Sequence, residues 1–371
     1  MSRRPRFLEF FAGAGLVRLG LEPEWQCVFA NDISTKKADV YRSNFGSKGL
    51  AVGDVAKLKA TSLPDADMAW ASFPCQDLSL AGWRKGMSAP RSSAFWPFWS
   101  LLRDFHRDGR RPPLIVIENV VGLLYGDNFP GLCEALAALD MRFGAMVVDA
   151  KWCVPQSRPR VFLVAVDQRI RTTDTEQPEP SSSTPFFPRS IQSAASSLPT
   201  ALTKRWIWWK LREPRRQSRD RKFTVPDLSK IIEFSSESTA DVSRLLSLMT
   251  PTNLEKIASR RQAGGIHIGF LYRRTREGRQ RAEVRFDGLA GCIRTPEGGS
   301  SRQTVVIIEN GRVNMRLLSP REAARLMGAP DSYRLPERYN DAYRAMGDGV
   351  AVPVSNHLSE CLLLPLAKSI H

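Results

Sequence analysis

Short apolar runs alternate with helix-like segments through the first 165 residues. Arg6–Phe11, Gln26–Ala30, Leu50–Val55, Met68–Phe73, Leu114–Ile117, Ala145–Val148 and Val161–Val166 read as strands. Val17–Leu21, Thr35–Asn44, Ala94–His106 and Gly131–Leu139 read as helices between them. The alternation predicts an α/β fold built on a doubly wound, mostly parallel sheet. The pattern then stops. Thr172–Pro188 is rich in Pro, Ser and Thr and reads as a linker or surface loop. Residues 189–310 are basic, aromatic and irregular, and read as a second, smaller domain. Regularity returns at Leu318–Met327. There Ser319, Pro320 and Glu322 form a capping box with proline at the first helical position, and Gly328 ends the helix. Val350–Leu366 reads as a further helix that packs back on the first domain. The expected division is 1–170, 171–318 and 319–371.

A chain of 371 residues is too long for one small core. No apolar run approaches membrane-spanning length. The start, MSRRPRFLEFF, passes from basic residues straight into a strand without a signal peptide's apolar region. The expected setting is the cytoplasm, with no membrane partner. Six cysteines, at 27, 75, 133, 153, 292 and 361, include no CxxC pair. Zinc-site spacing is therefore absent, no metal is expected, and a disulfide framework is disfavoured.

Charge changes the picture more. The net charge is +16, and Lys204–Lys222 and Lys256–Arg285, with nine basic and two acidic residues each, hold 14 of that excess. Trp206, Trp208, Trp209, Phe270 and Tyr272 are interleaved with it. Localised cationic charge points to a polyanionic partner, and the lack of a clean amphipathic helix favours nucleic acid over a membrane surface.

Candidate chemistry gathers at strand ends. The first strand runs into Phe11-Ala12-Gly13-Ala14-Gly15, where glycines let the backbone turn tightly beside a ligand. Asp32 ends the second strand, placed to accept bonds from ribose hydroxyls, and Asp54 ends the third. The fourth strand ends at Pro74-Cys75-Gln76. Taken alone, Cys75 reads as a buried structural cysteine. Glu118-Asn119-Val120 closes the fifth strand, and a carboxylate after four apolar residues suits a group that holds a proton. An ion pair is its bland alternative. Arg158 and Arg160, two apart at the start of a strand, are expected on one side, reaching an anion or carbonyl together.

A strand-end thiol, a strand-end acid and an arginine pair suit methylation of cytosine. A thiolate adding to C6 makes C5 nucleophilic toward the methyl of S-adenosylmethionine, and an acid at N3 stabilises the charge placed on the ring. At these residues the chain resembles the DNA (cytosine-5)-methyltransferase family, of the S-adenosylmethionine-dependent, bacterial restriction-modification type. The motifs FAGAG, AND, GDV, PCQ, ENV, QSRPR, RLLSPREAARLMGAPDSY and GDGVAVPV occur in the family's order. The resemblance implies a class I methyltransferase (Rossmann-like) domain over 1–170, a target-recognition domain over 171–318, and a hinge and returning segment over 319–371. It implies Cys75 as nucleophile, Glu118 as the acid at N3, and Arg160 with Arg158 at the cytosine O2 side. Phe11, Ala12, Gly13, Gly15, Asp32, Ile33, Asp54, Val55, Pro74, Asp348 and Val350 are implied for the cofactor. Gln76, Ser79, Arg91, Gly298, Gly299, Ser300 and Arg302 are implied for DNA, under a loop from Gln76 to about Phe95 with Gly82 and Gly86 as hinges. The implied partner is duplex DNA with the target base flipped out. A cognate restriction endonuclease is possible in the same cell, no stable protein partner is implied, and the chain is expected to be a monomer. Two residues depart from the family pattern: Asp348 stands for the usual Asn, and Cys292-Ile293 for the common Thr-Leu. The competing readings are the same chemistry on tRNA, a nicotinamide-dependent oxidoreductase on the same sheet, and an inactive DNA-binding protein.

Overall fold

The computed structural model describes residues 3–74, 94–180, 184–213, 227–234, 240–276, 278–294 and 302–370. The chain forms two compact units, Met1–Val148 with Pro159–Glu213 and Val354–His371, and Asp149–Arg158 with Pro214–Pro353.

The first unit is built on seven strands: β1 Arg6–Phe10, β2 Gln26–Asp32, β3 Leu50–Val52, β4 Met68–Ala71, β5 Leu114–Val120, β6 Met141–Asp149 and β7 Pro159–Asp167. Their order is β3-β2-β1-β4-β5-β7-β6. β1, β2, β3, β4 and β5 pair in parallel, and β7 runs antiparallel to β5. The order reverses between β1 and β4, so the carboxyl ends of these two strands flank the switch point where open α/β sheets bind ligands. The helices α1 Leu16–Leu21, α2 Thr35–Phe45, α3 Phe95–Arg107 and α4 Asn128–Ala137 fall between these strands in sequence. α3 buries Phe95, Trp96, Phe98, Trp99, Leu101, Leu102 and Phe105, a broad apolar face at helical spacing. Phe98 meets Phe10 of β1 at 5.0 Å between ring centres. Burial on this scale fixes where the strand ends lie.

The described residues of Thr172–Pro188, 172–180 and 184–188, do not form a loose linker. Thr172 and Thr175 are buried, and Arg142 donates to Thr172 Oγ1 at 3.0 Å. Two short strands, β8 Glu176–Gln177 and β9 Trp208–Trp209, pair antiparallel, and Phe186 and Phe187 are buried. Trp209 is fully buried and its Nε1 donates to Gly144 O at 3.0 Å. A Cβ at Gly144 would overlap the backbone carbonyl of Ile207, so only glycine allows this approach. The tryptophans of the Lys204–Lys222 stretch therefore serve the core of the first unit, and residues 214–222 lie outside the described residues. This packing also moves the boundaries. The chain passes between units after Val148, Arg158, Glu213 and Pro353, not at the expected 170 and 318.

The C-terminal part of the first unit is tied in by Trp25 Nε1, which donates to Ser359 Oγ at 2.9 Å. One run, Tyr339–Lys368, does reach membrane-spanning length and apolarity, with mean hydropathy 1.3, contrary to the expectation from sequence. It is broken at 348–351, and 61% of its apolar window is buried within the protein.

The second unit carries helices Leu228–Ile231, Val242–Ser247 and Pro251–Ala263, then β10 Ile266–Arg276, β11 Arg279–Arg285, β12 Thr304–Glu309 and β13 Arg312–Leu317. These strands form an antiparallel sheet in the order β11-β10-β12-β13. Its core joins Leu245, Met249 and Ile257 to Leu271, Ala282, Val284, Val306, Ile308 and Met315. The helix Pro320–Leu326 begins with the predicted capping box: Ser319 Oγ accepts from Glu322 N at 3.1 Å, and Glu322 accepts from Ser319 N at 2.7 Å.

Candidate active site

The turn after β1 is unusually constrained. Phe11 has φ 57°, a left-handed conformation rare for a bulky residue, and Gly13 and Gly15 follow with φ 57° and 79°. Asp32 holds the turn: Oδ2 accepts from Gly13 N at 2.8 Å and Oδ1 from Ser34 N at 2.8 Å. Both Asp32 oxygens are thus already engaged by backbone, and each keeps a second lone pair for a ligand. Asn31 Nδ2 donates to Ala51 O and Gly53 O at 3.0 Å each, which binds the end of β2 to that of β3. Asp54 caps the short turn Val55–Lys57. Ile33 is 70% exposed beside Asp32, and Ala12 and Val55 are buried. A cavity of about 330 Å³ is lined by Val55, Leu58, Trp96, Pro97, Leu101 and Asp104, among others. A strained backbone turn, carboxylates at two strand ends and an exposed aliphatic side chain beside one of them fit a cofactor with an adenosine part. The sequence signals for these residues were the strand-end glycines and acids.

At the end of β4, Phe73 packs edge-on to Phe11 at 6.3 Å and against Phe95 at 5.6 Å, and Pro74 is exposed. Cys75, Gln76, Ser79 and Arg91 lie outside the described residues. On β5, Glu118 is 6% exposed and pairs with Arg160 of β7, Oε1 to Nε at 3.2 Å. The pair sits where β5 and β7 run antiparallel, with Val120 opposite Arg160. Glu118 is thus a buried carboxylate with a cationic partner.

Two residues were missed. Asn119 is 3% exposed; its Nδ2 donates to Phe73 O at 3.0 Å and its Oδ1 accepts from Val120 N at 2.9 Å. It locks the end of β5 to the residue two before Cys75. The signal was an amide in an otherwise apolar strand. Glu9 of β1 is 1% exposed, and neither carboxylate oxygen has a hydrogen-bond partner. Burial pushes its carboxyl up to about 8, against the opposing pull of Arg18.

Arg158 does not share the role expected of it beside Arg160. It precedes β7 and belongs to the second unit. Its guanidinium is buried and donates to Ile293 O at 2.8 Å and to Gly347 O and Gly349 O at 2.7 Å each. Three carbonyls consume its fork, so it organises backbone and is not available to a base. The departure Cys292-Ile293 and the residues flanking Asp348 are what it holds. Asp348 is exposed after the helix Tyr339–Gly347, and Val350 is buried. Arg302 stacks on Tyr339, 5.3 Å from the ring centre, and bonds Asn340. Gly298, Gly299 and Ser300 lie outside the described residues.

The reversed parallel sheet and its strand-end site define a methyltransferase of the class I, Rossmann-like type. A family model for C-5 cytosine-specific DNA methylase matches residues 5–363, and the chain belongs to that family. Among curated relatives, Type II methyltransferase M.HhaI of Haemophilus parahaemolyticus is 26% identical, over 95% of this chain and 93% of that protein. Type II methyltransferase M.HpaII of Haemophilus parainfluenzae is 26% identical, over 94% of this chain and 86% of that protein. A solved structure of S. pombe Dnmt2 methyltransferase shares the fold, with TM-score 0.58, 19% identity and coverage of 98% of this chain and 99% of that one. A Spodoptera frugiperda DNMT2 variant gives TM-score 0.60 and 18% identity at the same coverage. The chain is a cytosine-5 methyltransferase and its cofactor is S-adenosylmethionine.

Proposed function

We propose that the enzyme methylates C5 of a cytosine within a short, specific sequence of duplex DNA, through a covalent adduct between Cys75 and C6 of a base turned out of the helix. The buried Glu118–Arg160 pair, one residue from the Asn119 tie to the Cys75 strand end, is the observation that carries this reading. Cys75 adds as thiolate to C6, and the electron pair moves onto the ring. Glu118 holds a proton at N3, where that charge gathers, and Arg160 fixes the orientation of the acid. S-adenosylmethionine, when bound, supplies the electrophilic methyl that C5 takes. Water then takes the C5 proton, the freed electron pair re-forms the C5–C6 double bond, and the S–C6 bond breaks so that Cys75 leaves as thiolate. The turn Phe11–Gly15 with Asp32, Ile33, Asp54, Val55 and Pro74 holds the cofactor. On this reading the enzyme works as a monomer in the bacterial cytoplasm or nucleoid, alone or beside a restriction endonuclease of the same specificity.

Methyl transfer from labelled cofactor to duplex DNA and to tRNA, measured side by side, tests the substrate. Incorporation into duplex DNA is expected, and incorporation into tRNA alone would overturn the proposal.

A further inference from the structure

The turn after β1 rests on an aromatic floor. A Cβ built on Gly15, whose φ is 79°, would come within 2.5 Å of Phe45 Cε2 and 2.9 Å of Tyr41 Cδ2. Both rings of α2 therefore lie directly against the last glycine of the turn. Tyr41 also joins Ala12 and Ala30 in one buried cluster, with Phe45 packed against it. The two rings stand 5.0 Å apart between centres. A turn that holds Phe11 at φ 57° persists only where its surroundings over-determine it, and on the α2 side those surroundings are Tyr41 and Phe45.

Arg18 of α1 fastens the two rings. Its Nη1 donates to Tyr41 Oη at 3.0 Å and its Nε to Glu22 Oε1 at 3.0 Å. Its guanidinium carbon lies 4.6 Å from the Phe45 ring centre and 5.6 Å from that of Tyr41. The bond to Glu22, four residues on, is enough to support α1. The bond and stacking onto a second helix go beyond that.

Glu9 lies two residues before Phe11, 1% exposed, with no hydrogen-bond partner on either carboxylate oxygen. The charged and titratable groups that act on it are Arg18 and Glu22 of α1, Cys27 and Asp32 of β2, and Tyr41 of α2. As a neutral acid, Glu9 does not compete for the Arg18 fork. As a carboxylate it is a stronger acceptor than a tyrosine hydroxyl, and a guanidinium drawn to it leaves Tyr41 Oη. Burial pushes the Cys27 thiol up to about 12 and the Tyr41 hydroxyl up as well, so neither gains charge near neutral pH.

We propose that Arg18 is a positioning residue for S-adenosylmethionine: it braces Tyr41 and Phe45 against the turn Phe11–Gly15, and the charge on Glu9 sets whether the brace holds. This rests on the reading above that places the cofactor at that turn. Arg18 acts through the rings, so its loss weakens cofactor binding and spares the chemical step once cofactor is bound.

The test uses the full-length enzyme, with cofactor affinity read by calorimetry and methyl transfer to duplex DNA read as KM and kcat. Arg18→Lys keeps the charge without the planar fork, and should raise the Kd and KM for S-adenosylmethionine about tenfold at neutral pH, with kcat within about twofold of the parent. Tyr41→Phe keeps both rings without the accepting oxygen, and should raise them about three- to tenfold. The parent's Kd should rise between about pH 7 and about pH 9.5, by at least about fivefold more than that of Glu9→Gln. The cofactor's own amino group titrates in this range in both proteins, so the difference between the two profiles is the readout. Parallel profiles overturn the proposal, as does parent-like affinity in Arg18→Lys, or a fall in its kcat without a rise in KM. Asp32→Ala, which removes the carboxylate that holds the turn, should lose cofactor binding. If it does while Arg18→Lys binds normally, only the brace has failed; if Asp32→Ala also binds normally, the turn is not the cofactor site and both readings have failed.

Discussion

The seven-stranded sheet and the four-stranded sheet treat polar residues in opposite ways. β4 is buried at every position and β5 at all but the last. With helices on both sides, such a strand tolerates a polar group mainly at its end, and Asp32, Glu118 and Asn119 lie there. β11 alternates, with Ala282 and Val284 buried and Arg281, Glu283 and Arg285 partly open. Such a strand leaves its polar side chains partly open to a partner. The difference separates two kinds of work: point chemistry at the rim of a dry sheet, and broad charge presentation along a half-covered one.

That contrast is breakable. If the rim of the first sheet does the chemistry, Glu118→Gln should lower the single-turnover rate of methyl transfer by about 10²- to 10⁴-fold while DNA binding persists. A rate within tenfold of the parent would remove Glu118 from that role. Arg160→Ala should cost about 3 kcal/mol or more in denaturant unfolding, because it leaves a buried carboxylate uncompensated. The double change Glu118→Gln/Arg160→Ala should recover much of that loss. By contrast, Arg274→Gln on the second sheet should cost no stability at all.

Glu9 sharpens the same point from within β1. Its folded-state carboxyl binds its proton up to about 8, against about 4.5 for a free glutamate. The folded protein therefore holds more protons than the unfolded chain between those values. Stability should fall as pH rises through that window, being complete below it and lost above. Glu9→Gln should flatten the profile, with a gain on the order of 2–4 kcal/mol at pH 9 and none below pH 4.5. A parallel pair of profiles would remove this residue from the pH dependence. The smallest expected loss of stability is that of Asn119→Ala, about 1–2 kcal/mol for orphaning the buried Phe73 carbonyl, read by thermal unfolding.

Legibility followed the same divide. The strands of the first unit could be read because each is a continuous apolar run between punctuating residues, and the strand-end groups fell where those runs stop. The second sheet is hidden in the sequence because Arg273 and Arg274 follow one another on opposite faces of β10, which breaks the period of two. Thr172–Pro188 was misread because Pro, Ser and Thr dominate it locally. Its order comes from β9, about thirty residues onward, and from burial of Phe186 and Phe187, which no local pattern reports. Arg158 and Arg160 were paired by strand alternation, but β7 begins at Pro159, so only Arg160 obeys that geometry. The task of Asn119 is not legible within its motif, since its partner is a backbone carbonyl just past the end of another strand.

The most direct measurement uses duplex DNA with 5-fluorocytosine at the methylated position, incubated with enzyme and S-adenosylmethionine and resolved under denaturing conditions. Fluorine does not leave C5 as a proton does, so the parent enzyme should remain covalently joined to the DNA, and Cys75→Ser should not. A Cys75→Ser protein that still traps the duplex, or a parent enzyme that methylates ordinary DNA yet never traps the fluorinated one, would contradict the covalent strand-end mechanism.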